Sequence, residues 1–309
     1  MKILRPLIRF FNISSLSVFK IGLKYNIILL PMSYYIPIAN ILDLTKSKSW
    51  RKKTPLSGII FNTKEQIRNL KKIMLPFINE YKDGKFYENA LNEKKGLGYG
   101  AIEAQALYGV IRAFKPKKII EIGSGISTHC MIVAGAKNIT CIEPFPSNFI
   151  TNLNKTNKKI KLIKKKVQKV DTVFFKTLSK NDILFIDSSH TLTIDSDITK
   201  IYLEILPVLK KGVIIQIHDI FFPYNYQRDA NNSTMQWMET QLLQAFLINN
   251  KNIEIIFSMS YLHYEASSEL KKVFPIYKPH KDVNGIANSM LHVPKKDGYF
   301  PSSIYLRVK

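Results

Sequence analysis

From Lys118 onward, short apolar runs alternate with longer segments whose apolar residues return every three or four positions. The first pattern is that of a strand and the second that of an amphipathic helix. Their alternation predicts a parallel sheet with helical crossovers. Strands are expected at 118–122, 139–143, 160–164, 182–187 and 213–218. The run 182–187 is almost continuously apolar, as a strand covered on both faces should be. Helices are expected at 126–136, 147–154, 172–178 and 195–209. The last of these places Ile198, Ile201, Tyr202, Ile205 and Leu209 on one stripe. Further on, Ser233-x-x-Gln236 reads as a capping box opening a helix over 234–249, with Met235, Met238, Leu242 and Phe246 toward the core. A strand at 253–257, an irregular stretch at 261–300 and a final strand at 303–308 complete the pattern.

Upstream, Asn62 or Thr63 can cap a helix over 63–75 that carries Ile67, Leu70, Ile73 and Met74 and ends at Pro76. Another turn or two is expected to run on to Asp83. Gly84, Gly96, Gly98 and Gly100 give 84–100 the look of a loop, and 101–114 is helical up to Pro116. The two prolines of 31–38 impose an extended path. That segment reads either as a packed arm or as a cover presenting Tyr34 or Tyr35 to a pocket. The expected organisation is an accessory region at 1–100, helical and extended, followed at 101–309 by an α/β domain. Its sheet is doubly wound, Rossmann-like, seven-stranded and mostly parallel.

The chemistry concentrates where strands end. After 118–122 the chain turns through Gly123-Ser124-Gly125 into a helix. Two glycines allow a tight turn and close approach of a ligand, and a helix N-terminus favours an anionic group. Where a dinucleotide fingerprint would carry its third glycine, this chain has Thr128, which points to another nucleoside cofactor. Glu143 ends the second strand, 20 residues after Gly123. An acid there suits the hydroxyls of a ribose; the alternative is a plain surface acid. Asp187 ends the fourth strand and is followed by Ser188-Ser189-His190. His218-Asp219 ends the fifth. If the first, fourth and fifth strands are neighbours, these residues converge. His190 or His218 could then serve as a general base, and Asp187, His218 and Asp219 could hold a divalent cation. The plainer alternative makes the acids caps and the histidines hydrogen-bonded spacers.

The net charge of +23 is mostly lysine, dense between Lys155 and Lys169 and poor in interleaved aromatics. It reads as coding bias plus a solvated face more than as a nucleic-acid surface. The two cysteines, Cys130 and Cys141, form no metal-ligand or disulfide spacing and fit a reducing cytoplasm. No apolar run reaches the length of a membrane span, whereas the basic, amphipathic residues 1–11 suit either peripheral membrane contact or a packed helix.

Taken together, Glu121-Ile122-Gly123-Ser124-Gly125-Ile126-Ser127-Thr128, Glu143 and Asp187 resemble the motifs of class I S-adenosylmethionine-dependent methyltransferases. The runs 185–190 and 212–221 and the segment 34–38 are similar to a bacterial small-molecule branch found in surface-glycan and natural-product pathways. The resemblance implies methyl transfer from S-adenosylmethionine. Glu121, Gly123, Ser124, Gly125, Ser127, Glu143, Gln168 and Asp187 would then line the donor site, with Gln168 on the adenine side. It implies a small-molecule or glycan acceptor shaped by the loop 219–233 and the N-terminal arm. Three other readings stay open: a nucleic-acid methyltransferase, although the Pro-Pro-aromatic run usual at the end of strand four is missing; a non-catalytic binding or membrane-associated protein on the same fold; and a different metal-dependent reaction at the strand-tip acids and histidines. Gly123→Arg is expected to fold and to lose the donor.

Overall fold

The computed structural model describes residues 15–30, 34–47, 49–96, 98–227, 230, 235–278 and 301–309. The expectation of an amphipathic surface segment at 1–11 lies outside them, as do Ser233 of the capping pattern, a third of 219–233 and residues 279–300. The chain divides into two compact units, 1–47 and 48–309. In the first, residues 15–24 are helical, and Asn40 caps a short helix α1 (Ile41–Lys46) by accepting from the Leu42 amide. This unit keeps much apolar surface in solvent: Leu16, Ile21, Ile28, Tyr34 and Tyr35 are all more than half exposed. Among the described residues, no helix is long and apolar enough to cross a membrane.

The second unit contains the helices α2 (Thr63–Met74), α3 (Ile78–Tyr81), α4 (Lys85–Asn92) and α5 (Ala101–Phe114). Strand and helix then alternate through β1 (Ile119–Ile122), α6 (Ile126–Val133), β2 (Ile139–Ile142), α7 (Asn148–Thr156), β3 (Ile160–Ile163), α8 (Thr172–Phe175), β4 (Ile183–Ile186), α9 (Asp197–Lys200) and β5 (Ile214–Ile217). The chain closes with α10 (Glu239–Leu247), β6 (Ile253–Ser258), α11 (Met259–Glu265), α12 (Ser267–Val273) and β7 (Ile304–Val308). The seven strands are ordered β3-β2-β1-β4-β5-β7-β6, and β7 alone runs antiparallel to its neighbours.

The four-residue strands β1, β2, β4 and β5 are buried along their whole length. Their alternate side chains feed two cores. Ile119, Cys141, Phe185 and Ile214 pack with Leu70, Met74, Leu107 and Val110 on one face. Ile120, Ile122, Leu184, Ile186, Ile215 and Ile217 pack with Ile198, Ile201, Ile205 and Leu243 on the other. Both cysteines are buried, free thiols.

Register decides which side chains meet at the end of the sheet. Ile122 pairs with Ile142 and with Ile186, and Ile186 pairs with Ile217. The next residue of each strand, Gly123, Glu143, Asp187 and His218, therefore stands in one row across the carboxyl end of the sheet. The row is stitched by backbone bonds: Gly123 N–H donates to Ile142 O (3.1 Å), Asp187 N–H to Ile122 O (2.9 Å) and His218 N–H to Ile186 O (2.9 Å).

Four expectations are corrected. The stretch 84–100 is not all loop, because α4 occupies Lys85–Asn92 after the left-handed Gly84. The segment 261–278 is largely α11 and α12. The helix expected at 195–209 starts at Asp197, widens to a π turn across Ile201–Ile205 and tightens over Leu206–Val208. Pro207 has no N–H to return to the preceding turn, so a regular ladder cannot continue through it. The helix expected at 234–249 begins only at Glu239. Met238 N–H is spent on His190 O (3.0 Å), and Met235 is 45% exposed. Leu243 and Leu247 are buried in the core, and the expected Leu242 and Phe246 pack against it partly buried.

Candidate active site

The turn after β1 is built around Gly123. Its φ is +79°, in the region that favours glycine, and a Cβ there would lie 1.9 Å from Asp187 O. Glycine is thus what lets the ends of β1 and β4 close together. This overturns the expectation that Gly123→Arg folds. Gly125 is different: a Cβ there meets nothing within 4 Å. It borders open space at the start of α6.

Glu143 reaches across to this turn. Its Oε2 accepts from Ser124 N–H (3.2 Å) and its Oε1 from Phe145 N–H (2.9 Å). Each carboxylate oxygen keeps a further lone pair for a ligand. Ser124 Oγ is buried with no hydrogen-bond partner. Gly123, Ser124, Gly125 and Glu143 therefore form one cradle with unspent polar capacity.

Glu121 and Ser127 lie beneath the cradle. Glu121 is fully buried and accepts from Ser127 Oγ (2.7 Å), Thr128 Oγ1 (2.7 Å) and Cys141 Sγ (3.2 Å). Thr128 Oγ1 in turn accepts from Gly125 N–H (3.2 Å). These bonds fix the turn to the sheet. Burial pushes the Glu121 carboxyl up to about 7, against the three donors that favour its charge. The folded protein thus binds this proton more tightly than the unfolded chain. Stability contributed below the ordinary value of 4.5 is lost as pH rises through about 7. Glu121→Gln should remove that loss. Denaturant unfolding at pH 5 and pH 8 should show the variant gaining roughly 3 kcal/mol on the parent between the two. A pH-independent difference would refute the assignment.

Gln168 lies in a turn after β3. Its side-chain amide donates to Asp195 O (2.9 Å), joining two loops.

A second constellation gathers at β4 and β5. One ligand atom each from Asp187, His190, His218 and Asp219 lies within 4.8 Å of the others. His190 Nε2 is 3.4 Å from Asp187 Oδ1 and 3.5 Å from Asp219 Oδ2. His218 Nδ1 is 3.3 and 3.5 Å from the same two oxygens. His190 and Asp219 both hold left-handed backbones, with φ of +57° and +55°. Such strain persists only where its surroundings enforce it, and it clusters at functional sites. Asp187 thus faces the imidazoles, while its backbone carries the contact with Gly123.

Two buried acids that the motifs did not single out complete the cluster. Glu239 Oε2 lies 2.7 Å from His190 Nδ1, and its Oε1 accepts from the Tyr202 hydroxyl (3.1 Å). Glu103 Oε2 lies 2.9 Å from His218 Nε2, and its Oε1 accepts from Ser302 N–H (3.0 Å) and Ser303 Oγ (2.6 Å). A signal for both was present. Glu103 precedes Ala106, Leu107 and Val110 on the apolar face of its helix, and Glu239 precedes Leu243 and Leu247 on its own. An acid in a core-facing helical position needs a buried partner.

Four carboxylates thus surround two imidazoles. Burial works against charge on His190, yet Asp187, Glu239 and Asp219 outweigh it and push the ring up to about 10. His218 is likewise raised well above the usual imidazole range, with burial overcome by Asp219, Glu103 and Asp187. Burial also opposes charge on Asp187 and Asp219, and the imidazoles hold both below the carboxylate range. Burial raises Glu239, and its bond to His190 only partly offsets that. Of this pair the proton belongs to His190, which three acids face.

Beside the cluster stands an aromatic wall. Trp237 lies 4.8 Å from the His190 ring and stacks on Phe221 at 6.3 Å, with Tyr264 packed on the same group.

Residues 120–220 match a family described as a methyltransferase domain. An uncharacterised protein of Archaeoglobus fulgidus is 30% identical over 166 residues, covering 50% of this chain and 75% of that protein. Among solved structures, an SAH-bound methyltransferase of Podospora anserina is 14% identical with a TM-score of 0.40. It covers 90% of this chain and 100% of its own. An O-methyltransferase of Bacillus cereus in complex with SAH is 11% identical with a TM-score of 0.44, covering 79% and 100%.

Proposed function

We propose that this chain, whose residues 120–220 match a methyltransferase domain, is a class I S-adenosylmethionine-dependent methyltransferase that methylates a hydroxyl of a small-molecule or glycan acceptor held beside Asp187, His190, His218 and Asp219. The observation that carries this reading is the row at the sheet's carboxyl end. It sets the cradle of Gly123, Ser124, Gly125 and Glu143 directly against a cluster suited to managing an alcohol's proton.

The residues of the cradle fit the donor. Space above Gly125, the unpaired Ser124 Oγ and the spare lone pairs of Glu143 match a ligand with an amino-acid end and a ribose. When bound, S-adenosylmethionine supplies a methyl group on a sulfonium, set for in-line displacement. Glu143 would accept from the ribose hydroxyls, and Gly125 would let the methionine portion lie close to the start of α6. Holding donor and acceptor in line is the largest part of what the protein contributes.

The second cluster fits a divalent cation, held by Asp187, His218 and Asp219 with His190 as a fourth ligand. When bound, such an ion lowers the pKa of a hydroxyl that reaches it. In this reading the two histidines are ligands, and neither is the base. Trp237, Phe221 and Tyr264 would orient a ring-bearing acceptor over the site.

Incubation with isotopically labelled donor and fractionated cell extract, followed by mass spectrometry, tests the proposal. The expected product is a small molecule or glycan fragment carrying the label on oxygen. Label recovered in nucleic acid, or in no product at all, would contradict it.

A further inference from the structure

Resting on the reading that a dication is held here, we propose that Asp187, His190, His218 and Asp219 form a centre selective for a transition-metal dication over magnesium or calcium, and that Glu103 and Glu239 are its positioning residues.

The geometry separates two kinds of contact around each ring. The outward nitrogens, His190 Nδ1 and His218 Nε2, make short bonds of 2.7 and 2.9 Å to Glu239 and Glu103. These are the lengths of charge-assisted hydrogen bonds. The inward nitrogens, His190 Nε2 and His218 Nδ1, each lie almost equally far from two acid oxygens, at 3.3 to 3.5 Å. His218 Nδ1 has no aligned hydrogen-bond partner at all. Ligands about 2.1 Å from a tetrahedrally coordinated ion lie roughly 3.4 Å from one another. The four ring-to-acid contacts have the spacing of coordination edges, with all the inward atoms within 4.8 Å of one another, and the outward ones have the spacing of real hydrogen bonds.

A carboxylate can only accept, so the nitrogen facing Glu239 or Glu103 carries the ring proton. In the neutral ring that leaves the lone pair on the inward nitrogen. Both glutamates therefore select the tautomer that ligates, the arrangement by which outer acids orient metal-bound histidines. The glutamates are themselves held: Tyr202 fixes one, and Ser302 and Ser303 fix the other. Ser302 Oγ also donates to Asp219 Oδ1 (2.9 Å), leaving Oδ2 for the centre.

The ligand set decides the class of ion. Magnesium and calcium take oxygen ligands and keep many of them. Two imidazoles out of four protein ligands suit zinc, iron, cobalt or nickel instead. The rings are nearly sealed, at 6% and 3% side-chain exposure, whereas Asp187 and Asp219 remain 30% and 19% exposed. Access is on the acid side, where a five- or six-coordinate ion would still have room for substrate oxygen.

The test uses the full-length protein stripped by chelation and titrated with Co2+, Zn2+ and Mg2+, read by calorimetry and by the visible absorption of bound Co2+. Cobalt and zinc should bind at least about 100-fold more tightly than magnesium. Glu103→Gln and Glu239→Gln should each weaken cobalt about 10- to 100-fold and shift its absorption, while S-adenosylhomocysteine affinity stays put. Magnesium binding as tightly as cobalt would overturn the selectivity and leave the proposed function standing. Parent-like cobalt spectra in both folded variants would overturn the positioning roles. Failure of every cation to bind would remove the ion from the proposed function as well. The ranking of ions in the parent chain decides the selectivity even if a variant does not fold.

Discussion

Gly125→Val is expected to fold like the parent chain and to bind S-adenosylhomocysteine at least about 100-fold more weakly. A Cβ there meets nothing within 4 Å, so stability should have little to lose. The proposed function puts the donor in the same space, so the ligand would have to be displaced by about the volume of an isopropyl group. Gly123→Ala, two residues away, should behave in the opposite way. Its Cβ would fall 1.9 Å from Asp187 O at a φ of +79°. Relief requires β1 and β4 to part at their ends, with a loss of several kcal/mol. Thermal unfolding and calorimetry on the two variants separate the roles. A stable Gly123→Ala, or a Gly125→Val that binds as the parent does, would show that the cradle is wrongly placed.

Removing the dication is expected to cut turnover at least ~10³-fold and to leave S-adenosylhomocysteine affinity within about threefold. Asp219→Asn should reproduce this without chelator. Asparagine tolerates the left-handed backbone that position 219 requires, and it keeps the size of the side chain. It also keeps an acceptor for Ser302, so the loop should stay in place while the site loses a charge. His218→Ala should likewise slow turnover more than it weakens donor binding. Full activity in the chelated protein or in Asp219→Asn would leave the cluster a structural ion-pair network.

How far the sequence carries this picture depends on the range of the forces involved. The strands of the sheet were legible because burial on both faces writes itself as local apolar runs, as in 183–186. So were the residues just past each strand, since topology places any such residue at the sheet's carboxyl edge. The extents of helices were less legible where a distant partner intervenes. Met238 N–H bonds to His190 O, so α10 starts late, and no local pattern announces that bond. The four glycines of 84–100 hid α4, although Gly84 stands at its entry and none of the four falls inside it. In the site, Asp187, His190, His218 and Asp219 stood out as polar residues ending apolar strands. Glu103 and Glu239 did not, although each sits among apolar neighbours in its helix. Their partners, His218 and His190, are 115 and 49 residues away in sequence.

The central claim is that donor cradle and cation cluster share one edge of one sheet. Crystals grown with S-adenosylhomocysteine and Co2+, measured for anomalous scattering, test it in a single experiment. The predicted map shows the ribose on Glu143 and one anomalous peak within bonding distance of His190 Nε2 and His218 Nδ1. A ligand bound elsewhere, or a peak absent from those two nitrogens while the protein is saturated with cobalt, would contradict it.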